Sequence, residues 1–123
     1  MIGQFIAVLF LARDLAHRAH LRVSGRGSYA QHVALGDFYP AVIDLADQLA
    51  ETYQGCELEL IDIPLLDNEF PAKNIKQSLQ DQVKWLKANR YKAVKREETH
   101  MQNIIDEIVA LYDQTIYKLH FLE

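Results

Sequence analysis

The sequence is poor in residues that break helices and in cysteines that cross-link secreted domains. Its 123 residues include one cysteine, three prolines and five glycines. A single cysteine, Cys56, excludes an intramolecular disulfide, so we expect a reducing compartment and a cytoplasmic protein. The scarcity of proline and glycine, with no convincing alternation of β-branched residues, favours helices over strands.

Long hydrophobic runs are missing as well. The apolar run at residues 5–12 has eight residues, whereas a membrane-spanning helix needs about 20. No basic side chain stands in the four residues before this run, which is not typical of a secretory signal. We therefore expect no contact with a membrane, and a first helix that is buried on more than one side.

The chain also lacks a basic excess. The formal net charge of −4 and the isoelectric point of about 5.7 argue against a general nucleic-acid surface. The one basic cluster, residues 84–96, has Trp85 and Tyr91 among its lysines and arginines. Such a cluster either contacts phosphate or, more commonly, forms a solvated helix end. We do not expect nucleic acid to be the partner.

Helical periodicity runs through most of the chain and predicts four helices in a single domain, residues 1–123. The second helix should begin after an N-cap at Ser28, with Gln31 completing a capping box, and should end at Gly55. Pro40 lies inside it and should kink it. The expected helices cover residues 2–20, 29–53, 72 or 74–89, and 97–122.

The connections between these helices predict their arrangement. Residues 22–28 form a short glycine-rich loop, whereas residues 56–74 form a long connection. Part of this connection, residues 57–63, alternates like a strand, but an isolated strand has no partner, so we expect an extended crossover. The fold class is therefore all-α: a four-helix bundle, ferritin-like, with one long crossover between the second and third helices.

The second helix carries acidic side chains at helical spacing. Asp44, Asp47 and Glu51 stand at i, i+3 and i+7, and His32 lies fifteen residues, about four turns, before Asp47 on the same face. Imidazoles and carboxylates suit iron, manganese or zinc, and helix bundles build metal sites from such side chains. The alternative is that this face is merely solvated. Two more histidines, His17 and His20, lie i and i+3 near the end of the first helix.

The order His20, Gly25, His32, Asp47, Glu51 resembles the signature of the Dps family, the ferritin-like mini-ferritins. The resemblance implies that the protein oxidises and sequesters Fe(II) at a site shared across a two-fold dimer interface. One chain would supply the histidines, and the other the Asp-x-x-x-Glu pair. It also implies a homo-oligomer, either a dimer or a twelve-subunit cage.

The chain departs from this pattern at two positions. Gly36 stands where the family has a carboxylate four residues after the second histidine, and Leu21 stands where it usually has tryptophan. A distortion of the helix by Gly36 and Pro40 would be needed to bring the neighbouring Asp37 to the metal. Asp37, Asp44 and His17 are therefore additional candidate ligands.

Two other hypotheses stay open beside iron oxidation. One is a structural or interaction module on the same fold, with a site weakened by Gly36. The other is a site at the dimer interface for zinc or another divalent ion, such as manganese, without redox turnover. The resemblance also predicts a short helix at the dimer interface within the long connection, for which Leu65, Leu66 and Phe70 are the marker residues.

Overall fold

The computed structural model describes residues 1–67 and 74–123, which contain four α-helices and no strand. The all-α prediction is therefore confirmed. None of the helices in these two ranges is long and apolar enough to cross a membrane. The helices are α1 (Ile2–His20), α2 (Ser28–Glu57), α3 (Ile75–Ala93) and α4 (Thr99–Phe121).

The four helices form a bundle in which α1 and α4 each pack against both α2 and α3. The helices α2 and α3 lie diagonally and run parallel, so the end of α2 and the start of α3 lie at opposite ends of the bundle. The connection between them starts beside the first turn of α1, where a side chain at Gly3 would meet the backbone oxygen of Asp62. The connection delivers Ile75 to the opposite end, where this residue borders a cavity with Gln31 and Leu119. This is the predicted four-helix bundle with one long crossover.

Apolar side chains from all four helices meet in one core. The rings of Phe38 and Tyr112 pack edge to face between α2 and α4, with centroids 5.2 Å apart. Trp85 of α3 packs against Phe5 of α1, with centroids 6.2 Å apart. Each large side chain removed from water stabilises the fold by roughly 1.5–3 kcal/mol. The largest fully buried side chains are Phe5, Ile6, Leu9, Leu35, Phe38, Leu49, Leu79, Leu86, Met101, Ile105, Ile108 and Tyr112.

The ends of α2 differ from the prediction. Ser28 is the first helical residue rather than the N-cap; Gly27 holds the N-cap position, with a left-handed φ of 78° that serine adopts poorly. Gly55 does not end the helix either. Its backbone stays helical, and α2 continues to Glu57 before Leu58 turns the chain with a φ of 55°. The side chain of Gln54 accepts a hydrogen bond from the amide of Ile61 and so supports this exit.

The start of α3 is set by Asn74, whose side chain accepts a hydrogen bond from the amide of Gln77. The alternative start at Ala72 and the marker residue Phe70 lie outside the described residues. Leu65 and Leu66 are exposed and lie in no helix, so residues 58–67 do not contain the expected short helix.

Candidate metal centre

His20, the last residue of α1, meets His32 in the second turn of α2. The loop between the helices turns sharply because Gly25 and Gly27 adopt left-handed φ values of 85° and 78°. The ring Nδ1 of His20 lies 2.7 Å from the backbone oxygen of His32, and the Nδ1 of His32 lies 2.9 Å from that of His20. A carbonyl oxygen only accepts hydrogen bonds, so both Nδ1 atoms carry a proton. Both Nε2 atoms are therefore left for another partner.

Two further rings extend this histidine pair. The rings of His20 and His32 stack with centroids 3.7 Å apart. Beside them, His17 of α1 stacks on Tyr39 of α2 at 4.2 Å, and Tyr39 also contacts His20 at 5.5 Å. Tyr39 was not among the residues predicted from the sequence, although its position seven residues after His32 places it on the same helical face.

Gly36 lies directly beneath the ring of His20. A Cβ at this position would lie 3.0 Å from the Cε1 atom of His20, which is closer than normal packing. The imidazole ring therefore occupies the space of the side chain that Gly36 lacks.

Asp37 faces a different side of α2. It lines a groove of about 620 Å³ between α2 and the end of α4, together with Lys118 and Phe121. The helix continues without a break through Pro40. Asp37 is therefore not brought to the histidine pair within one chain.

The three predicted carboxylates of α2, Asp44, Asp47 and Glu51, are all exposed on its outer face. No hydrogen bond or ion pair joins them to any residue within 1–67 or 74–123. Asp47 and Glu51 lie 15 and 19 residues beyond His32 on one continuous helix. At about 1.5 Å per residue, this separates them from the histidine pair by roughly 22–28 Å. One chain therefore does not combine the four predicted ligands.

A second cluster lies at the other end of α2. Ligand atoms of Cys56, Glu98 and His100 all lie within 4.8 Å of one another, and no other group of three metal-binding side chains meets this distance within the described ranges. The pKa of the Cys56 thiol is raised, first by partial desolvation and then by the carboxylates of Glu98 and Glu57. The sequence pattern does not reveal this cluster, because its residues come from two helix ends that only the antiparallel packing of α2 and α4 brings together.

The basic cluster of residues 84–96 is partly committed to contacts within the chain. Arg90 donates hydrogen bonds to the side chain and backbone oxygens of Gln102 and pairs with Asp106 at 2.7 Å. The guanidinium of Arg96 stacks on the ring of Tyr91 at 3.6 Å. Arg90 therefore ties α3 to α4 and is not presented to solvent like a phosphate-binding residue.

The protein is a four-helix bundle that carries the stacked pair of His20 and His32 on its α1–α2 face. Residues 20–119, most of the chain, match the family of unknown function DUF5856, and the protein belongs to this family. No curated protein and no solved structure matches the chain.

Proposed function

We propose that the protein binds Fe(II) at His20 and His32 and oxidises it, in a site that Asp47 and Glu51 of a second copy complete. The observation that carries this proposal is the reciprocal hydrogen bonding of the two rings, which holds each Nδ1 on a backbone oxygen. Metal-binding histidines are typically oriented in this way, with one ring nitrogen donating to a carbonyl and the other left for the metal. The fixed rings keep both Nε2 atoms available, which supports a cation bound through these two atoms.

The separation along α2 supports a second copy as the source of the carboxylates. Asp47 and Glu51 lie too far from His32 to join it within a chain, yet both are exposed and without partners among the described residues. Two copies related by a two-fold axis, packed through the α1–α2 face with their α2 helices antiparallel, would place each carboxylate pair beside the other copy's histidines. Two-fold symmetry makes this exchange reciprocal, so a dimer would hold two equivalent sites.

The donor set determines the chemistry. Two imidazoles and two carboxylates suit Fe(II), and also Mn(II) and Zn(II). Fe(II), the substrate, would give up one electron to oxygen or peroxide, and the ferric product would hydrolyse. Sequestering that product would require a closed assembly larger than the dimer, such as a twelve-subunit cage.

The experiment is an anaerobic Fe(II) titration followed by exposure to air, with absorbance and the native mass of the oligomer as readouts. We expect saturable binding and oxidation faster than in a buffer blank. His32→Ala and Glu51→Ala should each abolish the difference from the blank. Asp113→Ala, which removes an exposed carboxylate from α4, is the matched control and should leave oxidation unchanged.

Mixing the two inactive variants tests the shared site directly. A mixed dimer of His32→Ala and Glu51→Ala chains contains one site with all four side chains intact. Unfolding and reassembling the mixture should therefore restore part of the oxidation rate. Two variants that stay inactive after mixing, in a preparation shown to contain mixed dimers, would contradict a site shared between chains.

A second candidate is a structural or interaction module with a metal site that does not turn over. Gly36 favours it, because the ring of His20 fills the space in which the Dps family has another carboxylate. This alternative predicts that Zn(II) or Mn(II) binds at the histidine pair while Fe(II) is oxidised no faster than in the blank.

A further inference from the structure

We infer that Cys56, Glu98 and His100 form a second metal site, selective for Zn²⁺, that joins the last turn of α2 to the first turn of α4. The inference starts from their geometry: one ligand atom of each residue lies within 4.8 Å of the other two. It goes beyond the proposed iron chemistry, because it uses different residues at the opposite end of α2.

The ligand types are those that zinc prefers. Zinc sites are built from cysteine sulfur, histidine nitrogen and carboxylate oxygen, and three protein ligands leave the fourth position for water. With zinc–ligand bonds of about 2.0–2.3 Å, tetrahedral geometry places the ligand atoms roughly 3.3–3.8 Å from one another. The Nδ1 of His100 already lies 3.9 Å from a carboxylate oxygen of Glu98. Small rotations of these side chains would therefore complete the geometry.

The positions of the three residues leave them accessible to an ion. Cys56 is exposed, and more than half of the His100 side chain is in contact with solvent. Glu98 stands at the N-cap position of α4, but its side chain makes no capping hydrogen bond. Its carboxylate instead lies beside Cys56 and His100, so binding a metal would not remove a capping hydrogen bond from α4.

The local charges also favour a cation. The carboxylate of Glu57 lies near the thiol in addition to that of Glu98, whereas the basic group of Lys95 acts against them. When zinc binds, the thiol loses its proton to the solvent and the thiolate coordinates the ion. One proton is released and one metal–sulfur bond forms, and no atom changes its oxidation state.

The site would act as a clamp between two helices. The chain between Glu57 and Asn74 leaves α2 at this end, and α4 begins here. A ligand that binds only the folded arrangement stabilises it by an amount that grows with the logarithm of its concentration relative to its dissociation constant. Zinc at saturating concentration should therefore raise the thermal unfolding midpoint of the full chain.

The test uses Co²⁺ as a spectroscopic probe and Zn²⁺ as competitor, on the metal-free chain of 123 residues. Cys56 is the one cysteine of the sequence, so a thiolate-to-cobalt charge-transfer band can arise only from this residue. We expect this band at one cobalt per chain, its loss when Zn²⁺ is added, and its absence in Cys56→Ser. His100→Gln and Glu98→Gln should each weaken Zn²⁺ binding at least tenfold.

Matched variants separate this site from unspecific binding and from the iron site. His120→Gln and Glu57→Gln remove another histidine of α4 and another carboxylate beside Cys56, and both should keep the band. His32→Ala and Glu51→Ala should also keep it, so failure of the iron proposal would leave this one standing. The inference is overturned if the wild-type chain shows no thiolate band, or if the band requires two chains per metal. It is also overturned if His100→Gln and Glu98→Gln bind Zn²⁺ as tightly as their controls.

Discussion

At position 36 the absence of a side chain makes room for the imidazole of His20. The Cβ of any other residue would lie 3.0 Å from that ring, which would have to move by a few tenths of an ångström. In the interior of a helix glycine is usually unfavourable, by about 1 kcal/mol relative to alanine. Its presence in α2 is therefore explained by the packing of the histidine pair rather than by helix propensity.

Gly36→Ala should raise the free energy of unfolding by less than a glycine-to-alanine substitution normally does inside a helix. Gly55, also in α2, is the control, because a Cβ there would meet nothing within 4 Å. We expect Gly55→Ala to raise the free energy of unfolding by about 0.5–1 kcal/mol. For Gly36→Ala the gain should be smaller or absent, since the His20 ring must shift. Urea denaturation measures both values, and ring signals of His20 and His32 in NMR spectra report the shift. Equal gains with unchanged ring signals would contradict this account.

The sequence pattern predicted the candidate ligands, but it predicted the spatial arrangement of only some of them. His20 and His32 do meet, because a short loop between two antiparallel helices brings the adjoining ends together. The role of Gly36 could not be read from the sequence, because a missing side chain carries no signal of what fills its space. The distance from His32 to Glu51 follows from helix geometry alone. The pairing of two copies across this distance depends on the shape and charge of their surfaces, which the spacing of residues along one chain does not reveal.

At the scale of the helices, the apolar periodicity correctly predicted the four helices of the described residues, whereas local hydrogen bonds determine where the helices end. Helix α1 has the predicted bounds, and α3 extends four residues past Asn89, to Ala93. The side chain of Asn89 donates to the backbone oxygen of Trp85 one turn earlier, so it does not stop the helix. Ser28 failed as a predicted cap because the left-handed Gly27 took that position, which a serine–glutamine pattern does not reveal.

The two helix starts differ in a way that a pair of alanine substitutions can measure. The side chain of Asn74 accepts from the amide of Gln77 at 2.9 Å, whereas no side chain caps α2. Asn74→Ala should therefore lower the free energy of unfolding by about 1 kcal/mol, the usual value of a lost N-cap. Ser28→Ala should change it by no more than about 0.5 kcal/mol, as is typical of substitutions that remove no such contact. Chemical denaturation of both variants provides the comparison. A larger loss for Ser28→Ala than for Asn74→Ala would show that the cap at α3 is not formed in solution.

At the scale of the whole molecule, the bundle depends on a long connection that carries the chain from one end to the other. A short connection would make α2 and α3 antiparallel neighbours, whereas here they lie diagonally and each packs on α1 and α4. The length of residues 58–74 was therefore the informative feature for topology. This arrangement also sets where the candidate sites lie: the histidine pair is at one end of α2 and the Cys56 cluster is at the other.

Tyr112, an ionisable residue in the core of the bundle, should make its burial visible in the pH dependence of stability. Tyr112 is fully buried, and its hydroxyl donates to the side chain of Gln82 at 3.0 Å. Burial raises the pKa of this phenol far above its ordinary value of 10.0. Above about pH 10 the unfolded chain releases the phenolic proton and the folded chain keeps it. The folded state then binds more protons, so the free energy of unfolding falls as the pH rises.

The expected slope from this residue is about 1.4 kcal/mol per pH unit above pH 10. Tyr112→Phe should remove that part of the slope, and at neutral pH it should lower stability by about 1 kcal/mol through the lost hydrogen bond. Tyr117→Phe, at an exposed position of α4, is the control and should keep the wild-type slope.

Tyr53 also has a raised pKa, through partial burial and the charges of Glu57 and Glu59, so some slope should remain in every variant. Urea denaturation between about pH 8 and pH 11, analysed as the difference between each variant and the wild type, isolates the contribution of Tyr112. A slope that Tyr112→Phe leaves unchanged would mean that the phenol reaches water in the folded state and that the core between α2 and α4 opens at this point.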